Sequence, residues 1–415
     1  MDHKHPIPSP SAARAISATC RREVGGSSAS RITPDKFAQA GRGSWWRSRY
    51  DRLVDTLEER AERELLRLVA IPSPSGQEHA LLAYLDARLE AIGLRPFRQP
   101  VEGDRTNLVW KGSEHPRLLL TAHADTVPTW DQPGVDRPRV EEGCVWGRGS
   151  VDVKAGIAAI LLALEDSRDL LACPLAVAFT VDEEQRGLGS KVLPEAVRAE
   201  AAIVIEPTEL RICPVEAGSL EVRIEVPGTA AHGGALEDGC NAIHRAADLI
   251  RAFYSLPFVD AHHPLVGRGG FNVMEIRGGQ YALLVPDRCT LAVDFRILPG
   301  QDLEAAKQAL EDLLRAYDAA MEVLDESPAF ELPEDEPVVA LLRRAYEEAL
   351  GHRASIGAVR SWTDAENLVA AGIPSVVFGP GKLHVAHTAS EHVAVADVAD
   401  TARVLMAAIR LIARP

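Results

Sequence analysis

The residues of this sequence best suited to chemistry are two histidines and a set of carboxylates, each placed just past a short apolar run. His123 and Asp125 follow the run from Leu118 to Ala122, and a two-residue spacing puts both side chains on one side of an extended chain. A metal-bound histidine needs an acceptor on its second ring nitrogen, and Asp125 is placed to supply one, fixing the tautomer and raising ligand basicity. Alone, such a pair is common and more often belongs to a structural histidine. Asp152 lies between Gly147-Arg148-Gly149 and Lys154-Ala155-Gly156, so a sharply turned loop delivers a carboxylate at a helix start, where, taken alone, it more often serves as an N-cap. Glu183 and Glu184 follow the run from Leu175 to Val181; neighbours in extended chain point opposite ways, so one could bind metal while the other handles protons. A solvated acidic turn is the plainer alternative. Glu206 ends the run from Ala201 to Ile205, and His387 lies in the polar stretch 384–392. Taken together these are oxygen and nitrogen ligands on separate strand-end loops, the set expected of hydrolytic zinc and not of thiolate structural zinc.

The elements that must position them alternate. Leu65, Leu66, Leu68 and Val69, then Leu81, Leu82, Leu85, Leu89 and Ile92, recur at helical spacing, and Gly93 is placed to stop the second helix. Apolar runs of strand length at 118–120, 175–181 and 201–205 are separated by helix-like stretches at 154–166 and 190–199. That order predicts an α/β architecture with a largely parallel sheet flanked by helices, whose ligands lie beyond the carboxyl ends of the strands. Between 214 and 326 the rhythm changes to strand 219–227, helix 240–253, strands 271–277 and 289–297, helix 302–318 and strand 321–325, a ferredoxin-like βαββαβ order. Helices at 336–350 and 393–412 then resume the first pattern. The expected organisation is a catalytic domain in two parts, 51–213 and 327–415, with an inserted domain at 214–326.

Composition narrows the function. A net charge of −15 argues against nucleic acid, whose phosphates need clustered Lys and Arg, and 46% hydrophobic with 25% charged residues is an ordinary globular balance. No stretch reads as membrane-spanning. Cys20, Cys144, Cys173, Cys213, Cys240 and Cys289 form no C-x-x-C pair and read as small buried hydrophobes, which points to a cytoplasmic protein without a disulfide framework. Residues 1–50 are rich in Arg, Ser, Ala, Gly and Pro and read as a disordered leader without the apolar core of a secretory signal.

The strings LLLTAHADTVPT, GRGSVDVKAG, FTVDEEQRG, VIEP, PGTAAHGG, VPDRCTLAVDFR and AHTASEHV, in that order from about 118 to 393, make the chain resemble the acetylornithine deacetylase, succinyl-diaminopimelate desuccinylase, aminoacylase and carboxypeptidase G family. The resemblance implies a zinc-peptidase-like catalytic domain and two divalent ions, zinc with cobalt able to replace it. One ion would be held by His123 and Glu206, the other by Glu184 and His387, with Asp152 bridging both. It further implies Glu183 as general base, Asp125 orienting His123, His232 stabilising an oxyanion, and Arg296 gripping a substrate carboxylate. The inserted unit would be a lid and homodimerisation domain. The implied substrate is a small carboxylate-bearing amide, an N-acyl amino acid split into a carboxylate and an amine; a dipeptidase or carboxypeptidase, or an inactive binding homologue, are the alternatives. One position departs: where many relatives carry Asn three residues ahead of the proline of VPD, this chain has Leu283.

Overall fold

The computed structural model describes residues 55–414, so the leader expected over 1–50, and Cys20 with it, lie outside the described residues. Helix α1 (Leu57–Val69) has Glu58 and Glu59 in its first turn and Arg67 in its last, the charge order that opposes the helix dipole. Helix α2 (His79–Ile92) ends at Gly93, whose φ of 98° lets its N–H return to the carbonyls of Leu89 and Glu90.

The first sheet contains β1 (Phe97–Glu102), β2 (Arg105–Lys111), β3 (Leu118–His123), β4 (Leu175–Thr180), β5 (Ala202–Val204) and β10 (Ser375–Val377), in the order β1-β2-β4-β3-β5-β10. The strands β4, β3, β5 and β10 are mutually parallel, and the hairpin β1-β2 joins antiparallel at the β4 side. That hairpin escaped the apolar-run reading because β1 is an edge strand with one buried residue, Gln99. The parallel strands are buried on both faces. Leu118, Leu120, Val177, Phe179 and Ile203 pack with α1, α2, α3 (Ala155–Asp166), α7 (Pro337–Leu350) and α9 (Val395–Ala413). Leu119, Ala176, Ala178, Ala202 and Val204 pack with Leu193 of α4 (Leu188–Ala196) and Leu368 of α8 (Asp364–Ala370). Burial on both sides is why these strands read as unbroken apolar runs. Helix α3 is buried at every position from Ala155 to Leu164, so its apolar residues run all round.

A second sheet, with its own core, has β6 (Gly218–Pro227), β7 (Gly270–Gly278), β8 (Arg288–Ile297) and β9 (Ala320–Ser327) in the order β7-β8-β6-β9, all antiparallel. Helices α5 (Ala242–Ala252) and α6 (Leu303–Arg315) cover it through Ala246, Leu249, Leu310 and Leu314, which completes the βαββαβ order. Each of the two helices starts on a side-chain cap: Asn241 and Asp302 each accept two backbone N–H bonds. Phe253 meets Phe271 and Phe295 edge-on at 5.2 and 5.1 Å, tying the end of α5 to the sheet. Where the chain passes between the two sheets, Val215–Glu216 pairs with Phe330–Glu331.

Candidate metal centre

Strand β3 lies between β4 and β5, so the chain turns to one side after β3 and to the other after β4. The carboxyl end of β3 is therefore a switch point of the sheet, where loops diverge and leave a crevice. His123 is the last residue of β3 and is fully buried there. Its Nε2 lies 3.0 Å from Asp152 Oδ1, 3.5 Å from Glu206 Oε1 and 4.0 Å from Glu183 Oε2. The other oxygen of Asp152 lies 3.3 Å from His387 Nε2, and that nitrogen is 3.1 Å from Glu184 Oε2. Asp152 thus stands between two histidines with one oxygen turned to each. Two overlapping groups, His123 with Glu183 and Glu206, and His123 with Asp152 and Glu184, bring one donor atom per residue within 4.8 Å of one another.

Charge in this crevice is unbalanced. Burial pushes the carboxyls of Glu183 and Glu206 well above their usual range, and raises that of Glu184, each helped by neighbouring acids. Burial pulls the His123 imidazole down, but Glu183, Glu206, Asp125 and Asp152 outweigh it and hold it well above 6.5. His387, bonded to Asp152 and Glu184, is pushed up to about 10. Burial would also raise Asp152, yet its two histidines keep it low. Among the described residues, buried Glu206 Oε1 has no hydrogen-bond partner, with His123 Nε2 3.5 Å away. A crowded set of oxygen and imidazole donors with an orphaned buried oxygen fits divalent cations, which would replace the protons that the site otherwise draws in.

Three local expectations change in detail. Asp152 is not the N-cap of α3: Lys154 takes the cap position, and the two oxygens of Asp152 are turned to His123 and His387 instead. Glu183 and Glu184 do not diverge as neighbours on a strand, because β4 ends at Thr180 and both lie in a turn entered through Asp182 at φ 70°. The turn is held by Asp125, whose two oxygens accept the N–H groups of Glu183 and Glu184 at 3.1 and 3.2 Å. Ser75 donates to Asp125 as well, at 2.7 Å. The near partner of His123 Nδ1 is the backbone oxygen of Asp125, at 2.9 Å, with the carboxylate at 3.6 Å. Asp125 therefore serves the Glu183–Glu184 turn at least as directly as the histidine.

Two residues singled out in the sequence are not drawn into this cluster. His232 is exposed, and its Nδ1 accepts the N–H of Gly234 at 3.1 Å. Arg296, on β8, is paired with Asp294 and donates to the backbone oxygen of Arg360 at 3.1 Å. Conversely, a clamp around His387 escaped the reading. Arg148, buried, pairs with Glu391 and Gln132, and Gln132 Nε2 donates to the His387 carbonyl at 3.0 Å. Glu391 also accepts the N–H of Val151 at 3.3 Å, so one network ties the Asp152 loop to His387, which sits at φ 62°. The sequence signal was available: Arg148 is the cation inside GRGSVDVKAG, and an arginine among glycines in a buried motif needs acid partners. Besides the ligands the crevice is lined by Pro207, Val359, Ser361, Trp362, Thr363 and Leu383.

A parallel α/β sheet with histidine and carboxylate donors gathered at its switch point, joined to a separate antiparallel βαββαβ unit, defines a metallohydrolase acting on amide or peptide bonds. The model of Peptidase family M20/M25/M40 matches residues 119–411, and the chain belongs to that family. It is 34% identical to the acetylornithine deacetylase of Myxococcus xanthus over 374 residues, covering 83% of this chain and 95% of that relative. It is 30% identical to the succinyl-diaminopimelate desuccinylase of Corynebacterium glutamicum over 356 residues, covering 82% and 93%. Among solved structures, a tripeptidase from Staphylococcus aureus superposes with a TM-score of 0.73 at 24% identity, over 86% of this chain and 99% of that one. No helix of the described residues is long and apolar enough to cross a membrane.

Proposed function

We propose that the chain is a dinuclear, zinc-dependent amidohydrolase that removes the acyl group from an N-acyl amino acid. The observation that carries this reading is the placement of Asp152, with one oxygen toward His123 and the other toward His387. His123 and Glu206 would hold one ion, Glu184 and His387 the other, and Asp152 both. Bound there, two divalent ions supply Lewis acidity to the scissile carbonyl and to the attacking water. Glu183 takes the proton as water adds to the carbonyl carbon, then passes it to the leaving nitrogen as the C–N bond breaks, releasing a carboxylate and an amine. Its raised affinity for protons suits both transfers. Relatives named as deacetylase and desuccinylase support N-acyl amino acids as substrates; the likeness to a tripeptidase favours peptides as the second reading. A panel of N-acyl amino acids and di- and tripeptides on zinc-loaded protein tests the choice: deacylation is expected to dominate, and preferential peptide cleavage would establish the second reading.

Arg296 is assigned to the substrate carboxylate, since its planar fork matches a carboxylate and its neighbours Asp294 and Arg360 hold it in place. Arg296→Lys is expected to lower kcat/KM about 10-fold or more for carboxylate substrates, a loss the corresponding amides do not share. Equal losses on both would assign Arg296 to holding the β8 strand end.

The second sheet is assigned to a two-fold homodimer that lends His232 to the partner's site. Supporting it, strand β7 is an edge with Met274 and Ile276 exposed, and Tyr281 and Leu283 lie exposed near His232, which bridges to Leu284. Mixing His232→Ala with Glu183→Gln subunits is expected to restore activity, because one site of each mixed dimer is then intact. Demonstrated subunit exchange without recovery would place His232 outside the partner's chemistry.

A further inference from the structure

We infer that Val359, Trp362 and Leu383 form an acyl subsite that takes a short uncharged acyl group and rejects one ending in a carboxylate; this rests on the N-acyl amino acid reading above. The crevice has a volume of about 120 Å³ and is lined by the acids and His387 together with these apolar side chains. If Arg296 takes the carboxylate of the amino acid, the other side of the amide, the acyl chain, faces what remains of the lining.

Trp362 is a fixed part of that wall. Its Nε1 donates to Glu366 at 3.2 Å, so its polar atom is already satisfied. Its ring edge lies over Gly187, where a Cβ would come within 2.3 Å of the indole, and Gly187 closes the turn that carries Glu183 and Glu184. The indole therefore stands beside the proton carrier as a rigid apolar surface, which binds a small acyl group at low entropic cost. The polar neighbours add little. Thr363 spends its hydroxyl and its N–H on Glu216, at 2.6 and 3.0 Å, which leaves the Ser361 hydroxyl as the small donor of the wall.

Among the described residues no lysine or arginine lines the crevice, and the imidazole on its lining, His387, is already engaged by Asp152 and Glu184. Arg296 is already assigned to the carboxylate of the amino acid. A carboxylate at the end of the acyl chain would be stripped of water against Trp362 and Leu383, with no lysine or arginine of the wall to receive it. An apolar chain loses nothing there.

The test compares N-butyryl and N-succinyl derivatives of one amino acid in two ways: by kcat/KM on the zinc-loaded protein, and by calorimetric binding to zinc-loaded Glu183→Gln, which reads the subsite without turnover. We expect the butyryl compound to be preferred about 10- to 100-fold in both. Leu383→Arg, at a half-exposed position of the wall, should raise the succinyl-to-butyryl ratio about 10-fold with metal content unchanged, and Trp362→Ala should cut the butyryl preference. Equal or tighter binding of the succinyl compound to Glu183→Gln overturns the subsite. A butyryl preference unmoved by either variant overturns its assignment to these residues. Preferential butyryl binding with no turnover of any N-acyl amino acid would instead overturn the proposed reaction while keeping the apolar wall.

Discussion

Replacing Glu183 by glutamine is expected to lower kcat by about 100-fold or more while bound metal and substrate affinity stay close to those of the wild type. Replacing its neighbour Glu184 should act differently, removing one metal ion per chain. The contrast follows from where the turn puts the two side chains. Glu184 lies 3.1 Å from His387, directly among donors, whereas Glu183 stands 4.0 Å from His123 Nε2 and faces the crevice. Both N–H groups are held by Asp125, so either side chain can be altered without releasing the turn. Glutamine keeps the size of glutamate and cannot accept the proton. Metal stoichiometry measured beside kcat decides the matter: near-wild-type turnover in Glu183→Gln would sink its role as proton carrier, and loss of an ion in that variant would make it a ligand.

Chelating the metal should destabilise the protein, and more so as the pH rises. In the metal-free protein Glu183, Glu184 and Glu206 have folded values above the ordinary 4.5, because burial disfavours their charged forms. Their contribution is fully present below the unfolded value and is lost as pH rises through the folded one. His387 acts in the same direction, between 6.5 and about 10. Asp125 and Asp152, held low, have the opposite sign and weaken the fold only as pH falls below the ordinary 3.8. Cations in the site take the place of those protons. Free metal at about 100 times its Kd adds about 2.7 kcal/mol of stability. The Tm gap between metal-loaded and chelator-treated protein is therefore expected to widen from pH 5 to 9, an interval lying between the unfolded value of 4.5 for the glutamates and the 10 reached by His387. A gap constant over that range would show that the acids and His387 do not exchange protons for metal.

Much of this was legible in the linear order of residues. Unbroken apolar runs at 118–120 and 175–181 specify strands buried on both faces, since period and burial are local properties that side-chain chemistry enforces wherever the strand lies. Gly93 at the end of α2, the βαββαβ order between β6 and β9, and the donors following β3, β4 and β5 are of the same kind. The metal-site candidates, too, were legible as residue types at strand ends. What the sequence could not determine is which atoms face one another across long separations. That Asp152 divides its oxygens between His123, 29 positions away, and His387 depends on the path of two loops that share no local pattern. The reach of Gln132 to His387 spans 255 positions, and Arg148 becomes part of that clamp because its buried charge needs acceptors, which Glu391 and Gln132 supply. The direction of the Asp125 carboxylate, toward the Glu183–Glu184 turn more than toward His123, was decided by two backbone N–H groups brought up by the neighbouring strand. Local preference chose the elements; the packing of β3 between β4 and β5 chose the partners, because hydrogen bonds and charge pairs depend on distances of a few ångströms that only the folded chain establishes.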